Sequence, residues 1–283
     1  MMRNLLGTVA LAALFVSTSA LAAPANVSAL QGTITYKNSS SGPSYFSPFA
    51  RVTSKVVYDS ATGTYTLRDT GNPALTSIFG PANITGSDAA FTYYNKSSGS
   101  NVETFRLLNL GAGNPSIALT YVQYGQWRRS STSGGVTSTN DTYVVFGSKT
   151  PASAVPNSGS ASYSTVLDGT YVNKNGVYEV DGAGSLTANF GAGTIAYSAT
   201  LVGTREGGGT NIAFGTLTGS GSIAYASSGF KGTGTTNGSG YKLDVNGNFY
   251  GPAAQEIGGI FHLTGNRSSI GGTGNGTGAL VGN

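Results

Sequence analysis

No cysteine occurs in the 283 residues, so disulfides, thiolate metal sites, a Cys nucleophile and a lipid-acylated cysteine are all excluded. Histidine is nearly absent: His262 is the only imidazole, and any Ser-His-Asp triad would have to use it. No serine sits in a G-x-S-x-G elbow. Methionine is confined to Met1 and Met2, which leaves no thioether for a metal in the body of the chain. Charged residues make up only 9%, against a quarter in ordinary soluble domains. Their scatter gives no Lys/Arg stripe for nucleic acid, and the formal charge of +4 implies at most weak attraction to anionic surfaces. The 11 carboxylates show no evident acid and base pair of a glycosidase. Gly147-Ser148-Lys149-Thr150 lacks the adjacent Gly-Lys and the upstream glycine of a phosphate loop, and the glycines near Gly271 lack the aspartates of a calcium-binding array. These absences predict a protein that is not an enzyme.

Long apolar runs are also missing, except at the start. Arg3 is followed by an apolar stretch from Leu5 to Val16 and then by Ala20-Leu21-Ala22, a small-x-small cleavage signature. Residues 1–22 therefore read as a secretory signal peptide, with a mature N-terminus near Ala23. The stretch is shorter than the roughly 20 residues a membrane helix needs, so the expectation is an exported, extracellular or surface-associated protein, the periplasm being the alternative, and not a membrane-spanning one.

What the chain has instead is glycine, 44 residues of it, with 16 tyrosines, 12 phenylalanines and many Ser, Thr and Asn. Aromatic and β-branched residues in short runs between turn signals, with no helical periodicity, predict an all-β protein. One hairpin is expected from Val52 to Leu67 about Asp59–Gly63, and another from Phe91 to Leu108 about Asn95–Asn101. Ile117–Trp127 and Tyr143–Phe146 form a third pair, joined by Arg128–Thr142 read as a long polar loop. Pro151 and Pro156 mark a linker at 149–159 between an N-terminal β-domain, 23–148, and a C-terminal one, 160–283. In the second, short strands recur at Ser160–Ser164, Ser185–Phe190, Thr194–Val202, Asn211–Leu217, Ser222–Ala226, Tyr241–Phe249 and Gly259–Thr264. Parity puts Leu186, Ala188 and Phe190 on one buried face, and Phe261 and Leu263 inside with His262 outside. Gly271–Gly278 reads either as a last strand or as a frayed end.

Three stretches carry a likeness: Thr150–Pro156 leading into Gly159–Tyr163, Leu186–Phe190 with Gly193–Ile195, and above all Gly247–Gly259 with its Pro252-Ala253-Ala254-Gln255-Glu256 segment. Pro252 is placed to open a helical turn through Glu256, which would cap that turn or face solvent. Here the chain resembles the β-barrel domain of transferrin-binding protein B and its hemophilin-like and other surface solute-binding relatives of Gram-negative bacteria. The resemblance implies a small N-terminal β-domain before a C-terminal eight-stranded antiparallel β-barrel. It also implies capture of haem or of an iron-carrying host protein, with an outer-membrane export channel as a further partner. The chain departs from the family in lacking the anchoring cysteine, and its end, Thr277–Asn283, departs from the closing motif, so pairing of the last strand stays open.

The residues offer one candidate ligand surface. Tyr121, Tyr124, Trp127 and Tyr143 lie near Arg128 and Arg129, and aromatics beside guanidinium groups suit a protein, a sugar or a porphyrin with its propionates. His262 is an outside candidate for haem or metal. No cofactor is required by any residue. The alternatives of another class are an adhesive or structural surface β-protein and, disfavoured by the short strands, an outer-membrane barrel.

Overall fold

The computed structural model describes residues 27–39, 42–45, 50–69, 75–236, 240–265 and 274–283. The segment read as a signal peptide and the start of the Gly271–Gly278 tail lie outside them. Among the described residues the chain is all-β, its only helical pieces being three single 3-10 turns.

Strands β1 (Val27–Ser39), β2 (Gly42–Tyr45), β3 (Ala50–Asp59), β4 (Thr64–Asp69), β5 (Thr76–Phe79), β6 (Ile84–Ser87), β7 (Phe91–Ser98), β8 (Asn101–Leu108), β9 (Val122–Ser133) and β10 (Val136–Gly147) form one antiparallel sheet. The order is β5-β4-β3-β1-β10-β9-β8-β7-β6, with β2 beside β1. Its two edges, β5 and β6, are consecutive in the chain and separated only by Gly80 and the turn Pro81–Asn83. So short a link holds the edges within roughly 15 Å, and the sheet is rolled. Its concave face encloses Val56, Leu67, Phe79, Tyr94, Phe105, Trp127 and Phe146. Both expected hairpins are present, β3–β4 and β7–β8.

Two readings of this half are corrected. Arg128–Thr142 is not a loop: β9 and β10 pair continuously from Val122↔Gly147 to Ser133↔Val136 and turn at Gly134 and Gly135, both with positive φ. Cross-strand hydroxyl pairs, Ser130 with Thr139 and Thr132 with Thr137, stabilise a ladder whose polar residues looked like loop sequence. In turn, Ile117 lies before β9, and β1, at the centre of the sheet, carried too little apolar alternation to be read.

Strands β11 (Ser160–Asn173), β12 (Gly176–Asn189), β13 (Thr194–Arg205), β14 (Ile212–Ala224), β15 (Gly229–Thr236), β16 (Tyr241–Tyr250), β17 (Glu256–Gly265) and β18 (Asn275–Gly282) make a closed eight-stranded antiparallel barrel. Each strand pairs with the next, and β18 pairs with both β17 and β11, which closes the barrel. The expected fold is therefore the observed one, with longer strands. Ser222–Ala226 is not a strand of its own: Ser222 to Ala224 end β14, and β15 begins at Gly229.

Side chains fill the barrel. Tyr171, Tyr178, Phe214 and Tyr241 pack edge-on or tilted at one end, and Phe190, Phe230 and Phe249 with Tyr163 at the other. Between them Tyr197 lies over the glycine backbones of β14 and β15 at Gly219, Gly232 and Gly234, and its hydroxyl donates to the Leu243 carbonyl at 2.5 Å. Leu186, Ala188, Phe190, Phe261 and Leu263 are interior, as parity predicts. Burying each such large side chain contributes roughly 1.5–3 kcal/mol.

Strands β17 and β18 are buried on both faces over most of their length because the convex side of the rolled sheet sits on them. Leu108, Ile117, Leu119, Val122, Tyr124, Tyr143 and Val145 pack there against Tyr250, Ile260, Ala279 and Val281. Gly258 allows this approach: a Cβ on it would stand 2.5 Å from a methyl of Val122 and 2.8 Å from one of Val145. The segment between the two sheets is fastened to the barrel. Thr150 donates its N–H to Phe249 O and its hydroxyl to Gly251 O, and Val155 is part of the barrel core.

Candidate functional site

The junction of rolled sheet and barrel gathers most of the charged groups that an otherwise neutral chain buries. Alternation on β9 directs Tyr124, Gln126 and Arg128 to the barrel, while Trp127 and Arg129 face the concave core. On β8, Arg106 faces the barrel and Phe105 the core.

Two guanidinium groups of the sheet reach barrel carboxylates. Arg106 Nη2 donates to both oxygens of Asp168 at 2.7 Å, and Tyr124 Oη donates to Asp168 Oδ2 at 2.8 Å. Arg128 grips Asp141 in a two-point pair, Nε to Oδ1 at 2.7 Å and Nη2 to Oδ2 at 2.6 Å, and also reaches Glu206 Oε1 at 2.6 Å. Asp141 is wholly buried and further accepts hydrogen bonds from Tyr36, Thr170 and Gln126. Burial pushes the Asp168 carboxyl up against the pull of Arg106 and Tyr124, and pushes Glu206 up against Arg128. Burial, reinforced by the nearby carboxylates, holds the Tyr124 and Tyr143 phenols well above their ordinary range.

Glu256 is the third buried carboxylate. It neither caps a helical turn nor faces solvent, and Gly251–Ala254 form turns without a helix. Its oxygens accept the backbone N–H groups of Thr120 at 2.6 Å, Tyr121 at 2.8 Å and Val122 at 2.9 Å, the strand entry on which the sheet meets the barrel. The sequence signal was a lone acid in the apolar and glycine-rich run Gly251–Leu263.

The residues read as a ligand surface are thus used internally. Trp127 and Tyr143 are about 1% and 0% exposed and Tyr124 3%. The Trp127 indole N–H donates to Glu103, Tyr143 shares a hydrogen bond with Thr170, and Arg129 stacks 4.2 Å over Trp127. Tyr121, half-buried, flanks Gly251. Tyr124, Tyr143 and Arg128 are brought together on the barrel side, whereas Trp127 and Arg129 are on the other face of the sheet. His262 is on the barrel exterior, in register with Asp244 and Thr277 and far in the topology from both arginines. Among the described residues no group of three or more His, Asp or Glu is placed to hold a metal ion.

Beside this network, where β6–β8 diverge from β12, lies an open cleft of about 470 Å³. Tyr93, Asn95, Thr104, Arg106 and Gln126 form the sheet wall and Glu179 the barrel wall. Tyr93 is fixed by donation of its hydroxyl to Asp88 at 2.8 Å.

Residues 153–277 match the family model of the C-lobe and N-lobe beta barrels of Tf-binding protein B. Together with the closed eight-stranded topology, this places the C-terminal half among the transferrin-binding-protein-B-like β-barrels. The chain is also similar to a double mutant of transferrin binding protein B from Haemophilus parasuis Hp5, at 14% identity over 92% of this chain and 76% of that one, with a TM-score of 0.45. It is similar to isotype 1 transferrin binding protein B from serogroup B Neisseria meningitidis at 18% identity, over 89% of this chain and 43% of that one, TM-score 0.47. For the N-lobe domain of lactoferrin binding protein B of Moraxella bovis the figures are 11%, 90%, 99% and 0.40. Among curated proteins no relative matches.

Proposed function

We propose that the chain is an exported, non-enzymatic binding protein of the cell surface or its surroundings that captures an iron-carrying host protein. One observation carries this reading, the family match of the barrel, whose family is described by its binding to transferrin. The composition is in keeping with it: a charge-poor, glycine-rich β-scaffold with a signal-peptide-like start suits an exported recognition module. In this reading the division at 149–159 separates a recognition sheet, 23–148, from a supporting barrel, 160–283.

A protein cargo is favoured over haem by the state of the candidate axial donors. Tyr124 and Tyr143 have their hydroxyls bonded inside the junction and are held protonated by burial, whereas a tyrosine ligand to haem iron is a phenolate. Tyr124, Arg128 and Tyr143 then serve by positioning the sheet on the barrel, Tyr121 by packing at Gly251, and Trp127 and Arg129 by completing the concave core.

The test is capture of iron-loaded transferrin, lactoferrin and haemoglobin on immobilised mature chain, with haem titrated in parallel. Saturable retention of one carrier, with no shifted Soret band on adding haem, is expected. Retention of none of the three would leave adhesion as the better reading. Mass spectrometry of the exported protein is expected to find its N-terminus near Ala23.

A further inference from the structure

We propose that the cleft between β6–β8 and β12 is a binding site for a neutral carbohydrate, a function separate from capture of an iron carrier. At about 470 Å³ it falls within the range of small-molecule sites, roughly 300–1,000 Å³. Its chemistry selects the ligand class by charge and by hydrogen-bonding type.

Charge selects against anions, and the donor set against metal cations. Arg106 is on one wall and Glu179 on the other, and Arg106 is already neutralised by Asp168. A carboxylate or phosphate would meet Glu179 and gain little from a paired guanidinium, and a metal cation would find Glu179 as the one carboxylate among these walls, short of a coordinating set. A wholly apolar ligand is unsuited, since polar groups of Asn95, Thr104, Arg106, Gln126 and Glu179 share the lining with aromatic rings, a mixture that suits a ligand with both hydroxyl groups and C–H faces.

Hydrogen bonding favours hydroxyl groups, which donate and accept at the same atom. Arg106 lines the cleft with a partly exposed guanidinium that binds Asp168 through Nη2 alone, which leaves N–H donors for an oxygen acceptor. Gln126 points one N–H at Asp141, 3.3 Å away, which leaves its amide oxygen as an acceptor. Glu179, exposed on β12, can accept from two hydroxyls. Planar forks of this kind match pairs of adjacent hydroxyls on a sugar ring. Tyr93, its hydroxyl tied to Asp88, offers a fixed ring on which the C–H face of a sugar can stack.

The experiment titrates the mature full chain with glucose, galactose, N-acetylglucosamine and lactose by saturation-transfer NMR, with glucuronate and glucosamine as charged controls. At least one neutral sugar is expected to saturate at millimolar concentration or below through its ring protons. Glu179→Ala and Asn95→Ala should each weaken it fivefold or more without moving the thermal midpoint, and Tyr93→Ala tenfold. Lys231→Ala, on the far side of the barrel, should leave it unchanged. The proposal falls if no neutral sugar saturates by tens of millimolar, if a charged control binds more tightly, or if the cleft variants bind like the wild type. The readout needs no iron carrier, so its failure leaves that reading untouched.

Discussion

Glu256 shows how a single residue fastens two sheets together. Its carboxylate is 4% exposed and meets three backbone donors of the chain entering β9. Glu256→Ala leaves three N–H groups, that of Val122 buried and those of Thr120 and Tyr121 partly so, without an acceptor, at a cost of about 3 kcal/mol. For a chain of this size that lowers the thermal midpoint by about 6–12 °C, measurable by calorimetry; a shift under 2 °C would show that water takes over the donors. A second residue-scale prediction concerns pH. Burial raises Asp168, so the folded chain holds that proton more tightly than the unfolded chain. Its contribution is present below the ordinary carboxylate range and is lost as pH rises through the raised folded value. Arg106→Met removes the opposing charge and moves that window upward. The variant should lose about 3 kcal/mol at pH 8 and clearly less at pH 5, read from urea midpoints against wild type. Equal losses at both values would mean that Asp168 does not titrate between them.

At the scale of elements, glycine decides where backbones can touch. On β17, Gly258 brings the barrel against Val122 and Val145, so Gly258→Ala is expected to push the sheet outward and cost 1–3 kcal/mol, as overpacking does. Gly221 on β14 lies against the backbone of Lys231 and Gly232, well inside contact distance for any Cβ. Gly221→Ala should destabilise the barrel by a similar amount, with loss of β-sheet circular dichroism at lower urea than wild type. Neither role was legible beforehand, because a glycine needed for close approach reads like a glycine needed for a turn. The same ambiguity shortened the predicted strands. β11 and β12 run for 14 residues each, yet Gly182, Gly184 and Ser185 interrupt the apolar alternation from which strands are recognised. Arg128–Thr142 was misread for the matching reason: serine and threonine make good cross-strand pairs on a wet face but leave no apolar signal.

The whole molecule behaves as its shared core dictates. Because Leu108, Val122, Tyr143 and Val145 of the sheet and Tyr250, Ile260 and Val281 of the barrel bury one another, neither half is complete alone. Thermal unfolding of the full chain should be a single transition, with calorimetric and van't Hoff enthalpies in agreement. An isolated 160–283 fragment should keep its β-sheet spectrum, since apart from Val155 its interior comes from its own strands, but melt at a lower temperature and bind a hydrophobic dye through the uncovered outer face of β17 and β18. A fragment as stable as the full chain would show that the junction contributes nothing.

Composition and alternation alone determined the all-β class, the two hairpins, and the inward faces of Leu186–Phe190 and Phe261–Leu263, because pleating converts sequence parity directly into sidedness. Parity also groups Tyr124 with Arg128 and separates them from Trp127. It cannot say what either face meets. That the aromatic and basic cluster became a buried junction, that Glu256 crosses from barrel to sheet, and that Arg106 and Glu179 form opposite walls of one cleft were decided by tertiary structure. Each depends on residues 27 to 136 positions apart brought together by the docking of two sheets, and local pattern carries no record of that packing.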